Sequence, residues 1–211
     1  MANDDHVELV RKGHKAIESW RKAHASEHLD LREADLEAVD MAQADLRDAD
    51  LSLANLDGVN LSGSNLVHVN LRGASLVDAS LISANLKEAD LSLVAAREAD
   101  LGMANLGNAL LIRADLAVCN LQVAYLCGAN LTETILERAT LKDADLRNAD
   151  LVRTDLTGAD LRAANLQFSR IIESRGDNAN FSNCRVYGMS AWDVSSSGMI
   201  ESDLIITPPD Q

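Results

Sequence analysis

The chain has 211 residues, a net charge of −14 and 47% apolar content, but aromatics make up only 3% of it. That length suits one domain. The acidity disfavours direct contact with DNA or RNA, whose phosphates need Lys and Arg, and no apolar run approaches the roughly 20 residues of a membrane helix. The core is therefore expected to be built from small and aliphatic side chains.

The first segment, residues 1–29, carries five charges of each sign. Its polar, acidic start, Met1 to His6, is unlike a secretory signal. Over residues 5–25 the apolar positions Leu9, Val10, Gly13, Ile17 and Trp20 fall near one helical face, with Arg11, Lys12, Lys15, Arg21 and Lys22 around the others. The spacing predicts a helix that starts at Asp4-Asp5 and lies over whatever follows, with Trp20 as a buried plug. A basic helix for a membrane surface or a partner is the alternative. His6, His14, His24 and His28 cluster here, but no Cys or HExxH partner sets the geometry of a metal site. No metal or cofactor is expected.

From Leu31 a leucine recurs every fifth residue. The slots from 31 to 186 number 32; leucine fills 26, and Met41, Ala96, Ile171, Gly176, Phe181 and Val186 fill the rest. Two residues before each slot the chain is small, as at Ala34, Ala44 and Ala84, or modest in size, as at Val39, Thr134 and Cys119. Asp or Asn usually stands just before the leucine. The two residues after it are mostly polar, with Gly58, Gly63, Gly73, Gly128 and Gly158 among them. A helix returns apolar residues at three and four, and a strand alternates by two. A period of five fits neither. It points to a coil whose sides each turn the leucine and the small residue inward, with four sides making a turn of about twenty residues stacked at roughly 4.8 Å. Asp and Asn suit the corners because their short side chains bond back to a turn's backbone. Cys119 and Cys184 occupy the inward small slot and read as buried thiols; Cys127 faces outward. Unpaired cysteines favour a reducing, cytoplasmic setting.

Runs such as Ala84-Asn85-Leu86-Lys87-Glu88 and Ala144-Asp145-Leu146-Arg147-Asn148 resemble the A(D/N)LXX repeat of the pentapeptide-repeat family, over about three quarters of the chain. The resemblance implies an all-β solenoid: a right-handed quadrilateral β-helix, here of about eight coils over residues 30–186. Solenoids need caps, and the helix expected in residues 1–29 is read as the N-terminal one.

Beyond Val186 the leucine pattern stops. Arg170, Arg175 and Arg185 already replace the Asp/Asn slot, and Gly176 replaces a core leucine. Residues 187–211 are expected to form an irregular C-terminal cap and linker-like tail: Trp192 shields the last coil, Ser195 to Gly198 turn, Leu204 to Thr207 run as a strand, and Pro208-Pro209 ends it. The Tyr187-Gly188 to Asp193 stretch and the Leu204 to Pro208 ending resemble bacterial pentapeptide-repeat proteins in which such a junction leads to a separate effector-like domain. That likeness implies that the chain is the repeat half of a longer protein.

No acid–base or nucleophile constellation stands out, so no enzyme is expected. The outward slots carry one departure from a polar surface. Leu53, Leu93, Leu110 and Ile112 share one side, with Tyr125 and Ile135 on neighbouring sides of the same region. Exposed apolar clusters mark contacts; packing along the ladder is the competing account. The leading expectation is a non-enzymatic scaffold or protein–protein interaction module for an unidentified protein partner, as a monomer or as an end-to-end or face-to-face homodimer. The alternative, implied by the resemblance, is a DNA-mimicking binder of DNA gyrase. Against it, the acids bunch in residues 30–60 and Phe181 is the only Phe in a leucine slot.

Overall fold

The structure is a computed structural model, and it describes residues 2–206. From Asp30 onward the backbone pairs with itself in parallel, each residue of the Asp/Asn slot bridging the residue twenty further on. Four such ladders run the length of the molecule, begun by Asp30↔Asp50, Asp35↔Asn55, Asp40↔Asn60 and Asp45↔Asn65. They define the four sides of the coil, numbered one to four in that order.

One repeat shows how five residues make a side and a corner. The Leu31 N–H donates to the Asp50 carbonyl (2.8 Å), and the Asp50 N–H to the Leu29 carbonyl (2.9 Å), which holds adjacent coils together. The corner closes when the Ala34 N–H donates to the Leu31 carbonyl (3.1 Å). Its third residue, Glu33, lies in the left-handed region at φ +61°, and equivalent residues as far as Asp203 do the same. This explains why glycine recurs two places after the leucine: Gly58, Gly63 and Gly73 all sit there at positive φ.

The leucines and the small residues two before them are buried in one continuous column from Leu29 to Cys184. The Asp and Asn side chains act at the corners as expected. Asp50 Oδ1 accepts from the Ser52 N–H (3.0 Å), and Asn60 Oδ1 from the Ser62 N–H (3.1 Å). They also link coils, Asn55 Nδ2 donating to Asp35 Oδ1 and Asn60 Nδ2 to Asp40 Oδ1, each at 3.0 Å. Where the inward slot is a hydroxyl it is satisfied: Thr134, Thr154 and Ser174, one above another, donate to the carbonyls of Leu111, Leu131 and Leu151.

The N-terminal segment corrects the expectation of one helix. It forms α1 (Asp4–Val10) and α2 (His14–Ala23), parted at Gly13, whose φ of +82° ends one helix and starts the other. Asn3 caps α1 by accepting from the Asp5 N–H (3.0 Å). Trp20 is not the plug. It is half-buried, with His6 edge-on (5.2 Å) and His24 stacked (4.8 Å), while Val10 and Ile17 are fully buried against the leucine column. Bonds to the first coil hold the helices down. Arg11 donates to the Asp35 carbonyl, Arg21 to those of Asp45 and Arg47, and the Asp30 N–H donates to His6 Nδ1.

The second correction lies past residue 186. The ladders continue through Arg170↔Ser190, Arg175↔Ser195, Asn180↔Ile200 and Arg185↔Ile205. The left-handed corners continue through Gly188, Asp193, Gly198 and Asp203. The backbone register is therefore unbroken, and only the side chains change places. Ala191, Ser196 and Glu201 stand exposed in the leucine slots, while Met189, Val194, Met199 and Leu204 turn toward the core from the slot two before. Gly176 shows the exchange in detail. A Cβ there would collide with Met199 Cε, so the methionine one coil later fills the space a leucine would take. Trp192 is not buried over the last coil; it is 59% exposed. Of the expected strand from Leu204 to Thr207, Ile205 pairs with Arg185, and residues 207–211 lie outside the described residues.

Candidate functional site

Three repeats on side one straighten into short strands, β1 (Asp150–Val152), β2 (Arg170–Ile172) and β3 (Ser190–Trp192), paired in parallel so that Val152, Ile172 and Trp192 stand in line. Continued upward at twenty-residue steps, that line is Thr132 and then Ile112. Leu93 lies beside it, its N–H donating to the Ile112 carbonyl (2.9 Å), and Leu110 shares the side as a ladder residue. Leu53 (64% exposed), Leu93, Leu110 and Trp192 are exposed, and Ile112, Val152 and Ile172 are half-buried.

Of the candidate residues, Leu53, Leu93, Leu110 and Ile112 thus belong to one side, with Leu53 two coils away from Leu93. Tyr125 is on the ladder between Asn105 and Asp145 on side four, and Ile135 is on the ladder between Asp115 and Asp155 on side two. Both are exposed, but on adjoining sides and not in the same strip. The reading by residue missed Val152, Ile172 and Trp192. A count at twenty residues from Ile112 finds all three.

Charged ladders border the strip. On one edge Arg170 donates to Asp150 (2.8 Å). On the other, Glu133 takes Arg113 (2.5 Å) and Arg153 (3.0 Å), and the Arg113 hydrogen bond holds its carboxyl below the usual range. The strip thus has a partly apolar centre and a charged rim.

Elsewhere the chemistry is structural. Cys119 and Cys184 are buried, their Sγ donating to the carbonyls of Ala96 (2.7 Å) and Leu161 (3.0 Å), and burial pushes both thiols up to about 12. Asp30, Asp45, Asp145 and Asp160 are each gripped by an arginine two residues on; at Asp30 the Arg32 hydrogen bond lowers the carboxyl to about 2. Among the described residues no three His, Cys, Asp or Glu side chains come together to hold a metal. Nor is any helix long and apolar enough to cross a membrane.

The comparisons follow from this geometry. The pentapeptide-repeats family profile matches eight copies, over residues 30–66, 54–92, 119–158 and 141–175. HetL, a pentapeptide repeat protein involved in heterocyst differentiation regulation from the cyanobacterium Nostoc sp. strain PCC 7120, is 30% identical over 89% of this chain and 93% of its own (TM-score 0.47). Rfr23 from the cyanobacterium Cyanothece 51142 is 34% identical over 51% of this chain and 64% of its own (TM-score 0.32). Full-length QnrB1, a plasmid-mediated fluoroquinolone resistance protein, is 19% identical over 79% and 91% (TM-score 0.50), a likeness of fold alone. No curated protein matches. With its four parallel ladders, its five-residue register and these matches, the chain belongs to the pentapeptide-repeat family of right-handed β-helices.

Proposed function

We propose that the protein is a non-enzymatic scaffold: a rod of nearly nine coils, capped at its N-terminal end by α1 and α2, that binds a protein partner along side one. The observation that carries this is the line Ile112, Val152, Ile172 and Trp192, with Leu93 and Leu110 beside it, bordered by ion pairs. A stack of coils spaces its side chains evenly and holds them on a rigid backbone, so the strip is set before any partner arrives. Binding then avoids most of the ordering cost. The free cysteines suit a reducing, cytoplasmic setting. An effector-like domain joined to the repeats, as the Tyr187 to Asp193 stretch suggests, would be positioned by the same rod.

The DNA-mimic reading needs acids spaced regularly along a side. On side four the ladder residues run Asp45, Asn65, Asn85, Asn105, Tyr125, Asp145, Asn165 and Arg185, which thins the charge where a duplex would keep it constant.

The test has two arms on the purified chain. Proteins retained from the native cell by the wild type are compared with those retained by Leu110→Ser/Ile112→Ser, and gyrase supercoiling is measured in parallel. The proposal expects a partner lost by the double variant and no effect on gyrase. Gyrase inhibition or protection that disappears when Asp35, Asp40, Asp45 and Asp50 become Asn would replace it with the mimic.

A further inference from the structure

Beside the strip on side one runs a column of corner residues whose charge changes sign at every coil. Counted from Asp30, the fifth to eighth coils place Arg113, Glu133, Arg153 and Glu173 there, each in the left-handed corner. Glu133 takes both arginines, at 2.5 and 3.0 Å. The network is unfinished at its ends: among the described residues Arg113 pairs with that one carboxylate, and Glu173 makes no ion pair. The centre of the strip changes in bulk as well. Ser92, in the fourth coil, is small and buried, whereas Trp192, in the ninth, stands out. Charge is also uneven along the rod: residues 30–60 hold nine Asp or Glu against Arg32 and Arg47.

We propose that side one takes a second copy of this chain, face to face and antiparallel. The proposal rests on the reading of side one as a protein-binding surface and names its occupant. A two-fold axis lying across the side, at right angles to the rod, turns the corner column onto its own copy in reverse order. With the axis between the sixth and seventh coils, Arg113 meets Glu173 of the copy and Glu133 meets Arg153, so each of the four charges gains an opposite one. The same register sets Ile112 against Ile172 and Thr132 against Val152, and brings Trp192 over the small Ser92. A slip of one coil brings like charges together: Arg113 onto Arg153 and Glu133 onto itself in one direction, Glu133 onto Glu173 and Arg153 onto itself in the other. Complementarity of this kind fixes register more than it adds affinity. The acidic first coils of each chain project past the other and stay at opposite ends of the dimer. A parallel face-to-face pair would instead lay Glu33 beside Asp30 of the copy and bring the two acidic regions together. The facing stretch is six coils, about 29 Å, by one side, so the dimer is weak and reversible.

Sedimentation velocity of the full chain over a hundredfold range of concentration reads the assembly. The wild type should form a reversible dimer that Leu110→Ser/Ile112→Ser weakens. Arg113→Glu/Arg153→Glu makes the column wholly acidic, and Glu133→Arg/Glu173→Arg makes it wholly basic. Each, with circular dichroism unchanged, should weaken the dimer at least tenfold, and an equimolar mixture of the two should pair at least as tightly as the wild type. Register is read with a short bismaleimide in a Cys127→Ser background, where the remaining thiols are buried. An Ile112→Cys chain should link to an Ile172→Cys chain, and neither to itself. Self-linking of Ile112→Cys would set the rods parallel and overturn the proposal, as would charge-reversed variants whose mixture pairs no better than either alone. A chain that stays monomeric throughout, yet loses a native-cell protein on Leu110→Ser/Ile112→Ser, would overturn the second copy and keep side one as the binding surface. A monomer with no such protein would overturn both.

Discussion

At the scale of the residue, each repeat asks one side chain to sit where side chains are disfavoured. The left-handed corner costs an L-residue roughly 1–2 kcal/mol, most for β-branched ones. Val118 and Val123 occupy it at φ +63° and +59°. At Gly58 no atom lies within 4 Å of where a Cβ would stand, so Gly58→Val would isolate the backbone cost. We expect it to lower stability by about 1–2 kcal/mol in urea unfolding, and Val123→Gly to give a gain of up to about 1 kcal/mol. If Gly58→Val were neutral, strain at the corners would not be what selects glycine there. The thiols give a second prediction at this scale. Burial raises Cys119 and Cys184 to about 12, so both stay protonated and shielded at pH 8. Ellman's reagent should titrate one thiol, Cys127, in the native protein and three in denaturant. At the centre of the column Leu106 is fully buried. Leu106→Asp should unfold the rod, because an unpaired buried carboxylate has no partner there; retention of the native circular dichroism spectrum would contradict the packing described.

At the scale of the element, the first and last described coils are built differently. A solenoid exposes an unpaired coil at each end, and unpaired edges invite association. At the N-terminal end α1 and α2 close over the first coil through Val10 and Ile17 and through the arginines that take its carbonyls. Removing residues 2–28 should expose Leu31 and Leu36 and produce aggregates by sedimentation; a deletion that stayed monomeric with unchanged stability would make the helices an appendage. At the C-terminal end Met199 fills the place of a leucine at Gly176. Gly176→Leu should overpack that site and cost about 1–3 kcal/mol, with the loss confined to the last coil by hydrogen exchange. These ends also show what was legible in the chain. The leucine spacing identified the coil, its inward slots and the roles of Asp and Asn from Leu31 to Val186. The break at Gly13 was hidden because an apolar stripe does not register one residue at positive φ. The last coil was hidden because its apolar residues shift by two places, which looks like lost register although the backbone keeps it.

At the scale of the whole molecule, the proposed function rests on the same regularity. Twenty residues per coil put Ile112, Val152, Ile172 and Trp192 in one line although they are far apart in sequence. Residue by residue, the sequence reveals the first of them and not the rest. Each fully buried leucine contributes about 1.5–3 kcal/mol, and the column is continuous, so a surface change such as Leu110→Ser/Ile112→Ser should alter binding with little effect on stability. The line on side one depends on the register continuing unbroken past Val186. That continuity is tested most directly by cysteine cross-linking in a Cys127→Ser background, where the two native thiols left are buried. Ile172→Cys with Trp192→Cys places two thiols on adjacent strands at paired positions, while Ile172→Cys with Ser197→Cys places them on different sides. Under mild oxidation the first pair should form a disulfide in the native protein and the second should not. Failure of the first pair to close, or equal closure of both, would contradict the account.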